Sequence, residues 1–302
     1  MAEESNRAIV AAFVGNLLIT VSKFVAAASS GSSAMLAEAI HSLVDTGNGA
    51  LLLHGARASR RPPDVDHPFG HGHELYFWTL LVGMIVFGLG GGMSIVTGVS
   101  HILDPVAPGS TALSYGVIAV AAVFEGGSWY FGVKAFAKER RGRGIVETIR
   151  RTKDPTTFAV VLEDSAALIG LALAFAGIFL SARLDAPWID GAASVLIGVL
   201  LCLVASVMVY ESKGLLVGEG VERKTLERLR AIVQADSDVI ELKKLLTIYL
   251  APNEILLAIE VRFRSEMTVA ELRLAIARVR DAIQAQYPRI RRFFIDATAI
   301  GD

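Results

Sequence analysis

The amino-acid sequence predicts an all-α bundle of six transmembrane helices followed by a small cytosolic α+β domain of order αββαβ. Three observations predict it. Apolar runs of about 20 residues, the length that crosses a ~30 Å hydrocarbon layer, recur between residues 8 and 210. The whole chain of 302 residues is 53% hydrophobic and only 20% charged, whereas soluble domains carry about 25% charged residues. From about Lys213 onward the pattern changes to amphipathic helices and alternating strands. The expected division is therefore a membrane domain at 1–212 and a soluble domain at 213–302.

The spans are expected at 8–29, 34–56, 75–99, 113–135, 157–180 and 188–210. SSGSS makes a tight polar turn after the first, DPVAPGS breaks the chain after the third, and SARLDAP follows the fifth. Lysine and arginine in short loops set orientation. They crowd the segment KERRGRGIVETIRRTK after span four, and Arg57, Arg60 and Arg61 follow span two, while the opposite loops offer only Arg183. Both termini are thus expected in the cytoplasm. In the soluble part, VERKTLERLRAIVQ reads as an amphipathic helix. IELKKLLTIYL and EILLAIEVRFR read as strands joined by a turn at APNE. Thr268, three residues before Glu271, marks the start of a second helix, and RRFFIDATAI closes as a third strand. Helices on an antiparallel sheet are the expected arrangement.

Composition also excludes classes. A single cysteine, Cys202 within an apolar run, leaves no disulfide and no cysteine-rich zinc module. MAEESNR is short and mixed in charge, and the first span lacks a small-residue cleavage site, so that span is expected to stay in place. Topology alone explains the basic loop, so no nucleic-acid partner is expected.

Ionisable groups at bilayer depth cost about 2.5–3.5 kcal/mol each even on the lenient insertion scale. Glu38, His41 and Asp45 nevertheless sit in span two, on one helical stripe. Glu163 and Asp164 sit in span five, pointing ~100° apart. Imidazole and carboxylate are ligands for divalent transition metals; an interhelical hydrogen-bond network is the bland alternative. Asn16 and Lys23 share a stripe of span one, and Lys23 offers a partner to one of the span-five acids. After span two, PPDVDHPFGHGHELYFW crowds Asp64, Asp66, His67, His71, His73 and Glu74 into eleven residues. That density suits a loop metal site or, more plainly, a solvated turn; His67 and His71 converge only if Pro68-Phe69-Gly70 folds back. Glu125 and Asp190 are further buried or interfacial acids, Asp190 a candidate cap for its own helix. His54 and His101, at span ends, read as interfacial. GLGGGMS reads as a site of close helix packing.

At these residues the chain resembles the cation diffusion facilitator family of zinc transporter-like divalent metal exporters. The likeness rests on H-x-x-x-D at His41 and Asp45, on HPFGHG from His67 to Gly72, and on D-G-x-x-S-x-x-I-G from Asp190. It implies a homodimer, joined through the C-terminal domain and the membrane helices, that exchanges metal for protons by alternating access. It also implies that the soluble domain is ferredoxin-like or metallochaperone-like and mainly dimerises. The transport site it implies is His41, Asp45 and Asp164, with Glu163 or Glu38 as further acids. Val160 stands where relatives often carry a fourth ligand, so that ligand comes from Glu163, Glu38, water or nothing. The implied loop site is Asp64, His67 and His71, with His73 beside it. Residues 213–302 hold no histidine or cysteine, and Asp296 offers at best a weak carboxylate, so no C-terminal metal is expected.

The expected function is proton-coupled efflux of Zn2+, which serves as substrate and as a candidate structural ion, with Mn2+, Fe2+ or Co2+ as alternatives. Metal binding needs neutral imidazole and ionised carboxylate, so loading releases protons and protonation expels metal. Its partners would be metal ions, protons, lipid and a second copy of the chain, in a bacterial inner (plasma) membrane. No H-E-x-x-H motif supports a metalloenzyme. A membrane metal sensor that moves no ion is the rival reading.

Overall fold

A computed structural model describes residues 2–106, 109–140 and 155–297, without the side chains of 2–13, 135, 138–140 and 155–158. The basic side chains after span four lie outside these described residues. The chain divides into two compact units, 1–57 with 76–213, and 58–75 with 214–302. The loop that carries HPFGHG therefore belongs with the C-terminal unit.

The first unit is helical. Its elements are α1 (Ala2–Ser30), α2 (Ser33–Ala58), α3 (Glu74–Ile85), a π-helical segment (Val86–Gly92), α4 (Met93–Leu103), α5 (Ala112–Arg140), α6 (Pro155–Leu184) and α7 (Trp188–Val217). Among the described residues, four helical stretches are long and apolar enough to cross a membrane: Glu74–Leu103, Ala112–Lys134, Ala159–Leu184 and Trp188–Val217. α1 adds a shorter apolar stretch, Val14–Ser30. α2 is interrupted by Glu38, His41, Asp45 and Asn48, the residues that make it chemically interesting.

Small residues let these helices approach closely. Ala26, Ala34, Ala37, Ala121, Ala166, Ala174 and Ala205 lie in one buried core with Leu171, Ile197, Leu201 and Met208. Gly91 of GLGGGMS and Gly98 beyond it have a specific use. A Cβ on Gly98 would stand 2.6 Å from the carbonyl oxygen of Gly191, and one on Gly198 2.7 Å from that of Gly91. Two glycines seven residues apart on each helix thus pair antiparallel, and the Ser194 hydroxyl donates to the Ser94 carbonyl at 2.9 Å between them. Leu18, Val21, Val96, Val123, Phe131 and Leu203 point outward, as a lipid-facing surface requires.

The turn between α1 and α2 uses Gly31 at φ +67°, where its N–H bonds to the Ala27 carbonyl at 2.9 Å. Ser32 then caps α2, its hydroxyl accepting from the Met35 N–H at 3.0 Å. Asp190, 4% exposed, completes the cap from α7. It accepts from the Ser32 hydroxyl at 2.6 Å, the Ser33 N–H at 2.5 Å, the Ser33 hydroxyl at 2.9 Å and the Ala34 N–H at 3.3 Å. The sequence suggested that Asp190 caps its own helix. It caps α2 instead, because close α2–α7 packing brings the carboxylate to four donors.

In the second unit, α8 (Arg223–Gln234) and α9 (Val269–Gln286) pack on a sheet of β1 (Val239–Ala251), β2 (Glu254–Phe263) and β3 (Ile290–Ala297). Leu229 and Val233 of α8 and Ala275, Val279 and Ile283 of α9 bury one face of each helix. Leu257, Ile259, Val261 and Phe263 alternate on the central strand. Thr268 and Glu271 form the expected capping box. The sheet is mixed rather than antiparallel: β1 and β2 are antiparallel, but β2 and β3 run parallel. A helix intervenes between β2 and β3, and a helical crossover returns the chain in the same direction. Arg278 fastens α9 by bonds to Asp236 at 2.9 Å and Asp238 at 2.6 Å, and its hydrogen bond holds the Asp236 carboxyl below the usual carboxylate range.

Candidate functional site

α2 presents Glu38, His41, Asp45 and Asn48 along one stripe, because residues three and four apart share a helix face. Glu38, His41 and Asn48 are buried and Asp45 is half-buried. His41 is 3% exposed, and its Nδ1 has no hydrogen-bond partner among the described residues. An unsatisfied buried polar atom costs about 1–3 kcal/mol. An imidazole nitrogen held in that state is suited to bind a cation.

Two neighbouring helices add to this stripe. On α6, Glu163 is buried and accepts from Asn48 Nδ2 at 3.0 Å, which joins α6 to α2. Asp164 is half-buried and accepts from the Ser128 hydroxyl of α5 at 2.9 Å. One residue on, the Ser165 hydroxyl accepts from Trp129 Nε1 at 2.9 Å. The charge of Asp164 acts on both Asp45 and Glu163, so the three acids share one neighbourhood. No three of these acid and imidazole ligand atoms gather within 4.8 Å. Val160 is 40% exposed and lies beside Asp164 around Gly132 of α5.

Lys23 decides the roles of two further acids. Fully buried, it donates to Glu38 Oε2 at 3.0 Å, to the Ser42 hydroxyl at 2.7 Å and to Glu125 Oε1 at 2.8 Å. Glu38, one of the expected transport ligands, is thereby engaged by an ammonium, and Gly170 of α6 leaves the space its Oε1 occupies. Lys23 does not pair with Glu163 or Asp164, the partners weighed for it from sequence. Asn16, expected inward with Lys23, is exposed. Sequence reasoning undervalued Glu125, Ser128 and Asn48. The available signal was spacing: Asn48 continues the His41–Asp45 stripe, and Glu125 and Ser128 are one turn apart on α5.

A second cluster lies in the 58–75 loop. Asp64, His67 and His71 bring one ligand atom each within 4.8 Å of the others. The chain folds back at Pro68-Phe69-Gly70 as convergence requires: the Gly70 N–H bonds to the His67 carbonyl at 2.9 Å, and Gly70 adopts φ +88°. Asp64 Oδ2 lies 2.9 Å from His71 Nε2, and Oδ1 accepts the His67 N–H at 2.6 Å. These two hydrogen bonds, the one with His71 foremost, hold the Asp64 carboxyl down at about 2. His73 stands apart from the trio: its Nε2 donates to the Tyr249 carbonyl of β1 at 3.0 Å. Phe69 meets Phe294 edge-on with ring centroids 6.3 Å apart, and the Arg292 guanidinium lies 6.0 Å from the Phe69 ring centre. A Cβ on Gly72 would collide with the Leu250 carbonyl. The loop is thus seated on the sheet. Asp296, the C-terminal carboxylate singled out from sequence, is exposed on β3 beside Glu260.

A family model described as the cation efflux transmembrane domain matches residues 9–217. Metal tolerance protein C4 of Arabidopsis thaliana is 31% identical over 269 residues, covering 88% of this chain and 59% of that protein. The proton-coupled zinc antiporter SLC30A9, mitochondrial, of Xenopus laevis is 32% identical over 219 residues, covering 72% of this chain and 39% of its own length. The human protein of the same name matches with the same identity and coverage. The chain thus spans between about two fifths and three fifths of these curated relatives.

Proposed function

The chain belongs to the cation efflux transmembrane family, and from that membership we propose that it is a proton-coupled divalent-cation antiporter with Zn2+ as its main substrate. The observation that carries the reading is His41, buried with a nitrogen lacking a partner, on the same helical stripe as Asp45. Asp164, held by Ser128, completes the core of the site. Glu163 is engaged by Asn48 and Glu38 by Lys23, so each must give up a partner to bind metal. Glu125 keeps a buried oxygen, Oε2, without a partner among the described residues and joins the acids from which a fourth ligand is drawn in place of Val160. Metal enters with His41 neutral and the acids ionised; protons reverse both conditions and release it. The names of two relatives, which include proton-coupled zinc antiport, support the choice of ion and of exchange.

The wider reading is of six spans that include α1 and α2, both termini in the cytoplasm, and alternating access within a homodimer joined by the C-terminal domain and the membrane helices. The membrane is a bacterial inner membrane. Carboxylates outnumber imidazoles at the site and also suit Mn2+, so Mn2+, Fe2+ and Co2+ are the alternative substrates. The decisive experiment is transport by purified protein in sealed proteoliposomes under an imposed pH gradient, with Zn2+ competing against Mn2+, Fe2+ and Co2+. Zn2+ should accumulate and the other ions should compete weakly. Metal binding without accumulation of any ion would mark a sensor.

Asp64, His67 and His71 form a second, loop site for Zn2+. The hydrogen bonds of His71 and His67 hold the Asp64 carboxyl well below the usual carboxylate range, and a ligating imidazole must be neutral, so metal at the loop competes with protons. In an Asp164→Ala background, calorimetric Zn2+ binding at the loop is expected to weaken as pH falls, and His71→Ala should remove it. Zn2+ binding that His71→Ala leaves unchanged would contradict the assignment.

A further inference from the structure

We infer that Asp190 is a positioning residue for transport, holding the metal-bearing helix α2 in place, and that His101 takes up the proton that loosens this hold. The inference rests on the transport reading of His41 and Asp45. Asp190 receives four bonds from the first residues of α2, and three of them, from the Ser33 N–H, the Ser33 hydroxyl and the Ala34 N–H, converge on the single oxygen Oδ2. A carboxylate at a helix N-terminus is favoured both by its free N–H groups and by the helix dipole. His101 Nε2, from α4, lies 3.7 Å from that same Oδ2.

The pair borders open space. A cavity of about 460 Å3 opens at this end of the bundle, lined by Phe24, Ala27 and Leu36 as well as by Ser33, His101 and Asp104. A much smaller one beside it touches His101, Ser181 and Asp190. The titratable groups lining the two cavities are His101 and Asp104 of α4 and Asp190 of α7; α1, α2 and α6 contribute none.

Neutral His101 leaves Oδ2 to the N–H groups of α2. Protonated, it becomes a cationic donor facing the oxygen that already takes charge-assisted bonds from α2, and it competes with them for that oxygen. It then draws Oδ2 away from Ser33 and Ala34. His41 lies eight residues along the same helix, about 12 Å from Ser33, so a shift of the α2 terminus is transmitted to the ligands. Protons arriving at the α1–α2 turn therefore favour release of metal there.

The test uses full-length protein in proteoliposomes, with pH varied only on the face that bears the α1–α2 turn and Zn2+ as the probe. Wild type should show transport that depends on the pH of that face. His101→Gln should flatten this profile, and Asp190→Asn should raise KM for Zn2+ by about tenfold, the scale on which metal ligands suffer when their supports are lost. An unaltered pH profile in His101→Gln overturns the inference while leaving the transport reading intact. So does an unchanged KM in a folded Asp190→Asn protein; should that variant fail to fold, the His101→Gln profile decides. Wild type that moves no Zn2+ overturns both.

Discussion

Replacing His41 or Asp164 with alanine should abolish accumulation of Zn2+ in sealed vesicles while leaving the protein folded. His41 is buried with an unsatisfied nitrogen and Asp164 is only half-buried, so neither anchors the hydrophobic core. Losing a group that merely orients a metal ligand costs about 10–100-fold, and loss of a ligand itself should exceed that. Glu38→Gln is the informative contrast. If Glu38 serves Lys23 rather than the metal, its amide analogue should retain transport, with the larger effect falling on stability. Initial uptake rates of the three variants, normalised to reconstituted protein, check the prediction. Wild-type rates in both His41→Ala and Asp164→Ala would remove α2 and α6 as the home of the transport site.

Lys23→Met should destabilise the membrane domain by about 3–5 kcal/mol, because removing one partner of a buried ion pair leaves charge stranded. Lys23 is wholly buried and bonded to Glu38, Ser42 and Glu125; Glu38 is wholly buried too, and Glu125 is largely so. Its removal leaves two carboxylates facing each other without a counter-charge. The accompanying expectation separates this cause from simple loss of packing. Adding Glu38→Gln and Glu125→Gln to Lys23→Met should recover much of the stability, since an uncharged set strands nothing. Thermal unfolding in detergent of the single and triple variants measures both effects. A triple variant less stable than Lys23→Met would show that packing, not charge, governs the site.

Much of this molecule was legible in the sequence because its strongest signals are local. An apolar run declares a membrane helix from composition alone, and the 3.6-residue period places His41 and Asp45 on one face without knowledge of any neighbour. Thr268 and Glu271 announced a capping box that forms as expected, since both partners lie within one turn. Other assignments failed for a common reason. The sequence offered Lys23 to Glu163 or Asp164, and only the packing of α1 against α2 and α5 selects Glu38 and Glu125. The parallel pairing of β2 with β3 depends on a crossover, not on the alternation that marks either strand.

The sequence by itself determined that this is a membrane protein with ionisable residues on one stripe of an apolar helix and an α+β tail, because hydropathy and periodicity are properties of neighbouring residues. Only the tertiary structure decided that Asp190 caps a helix 157 residues away in sequence, that the Pro68-Phe69-Gly70 turn closes Asp64, His67 and His71 into a trio, and that His73 turns to the sheet instead. Each of these depends on which faces of distant segments meet, and that is fixed by close packing of glycines, alanines and buried charges rather than by any local pattern.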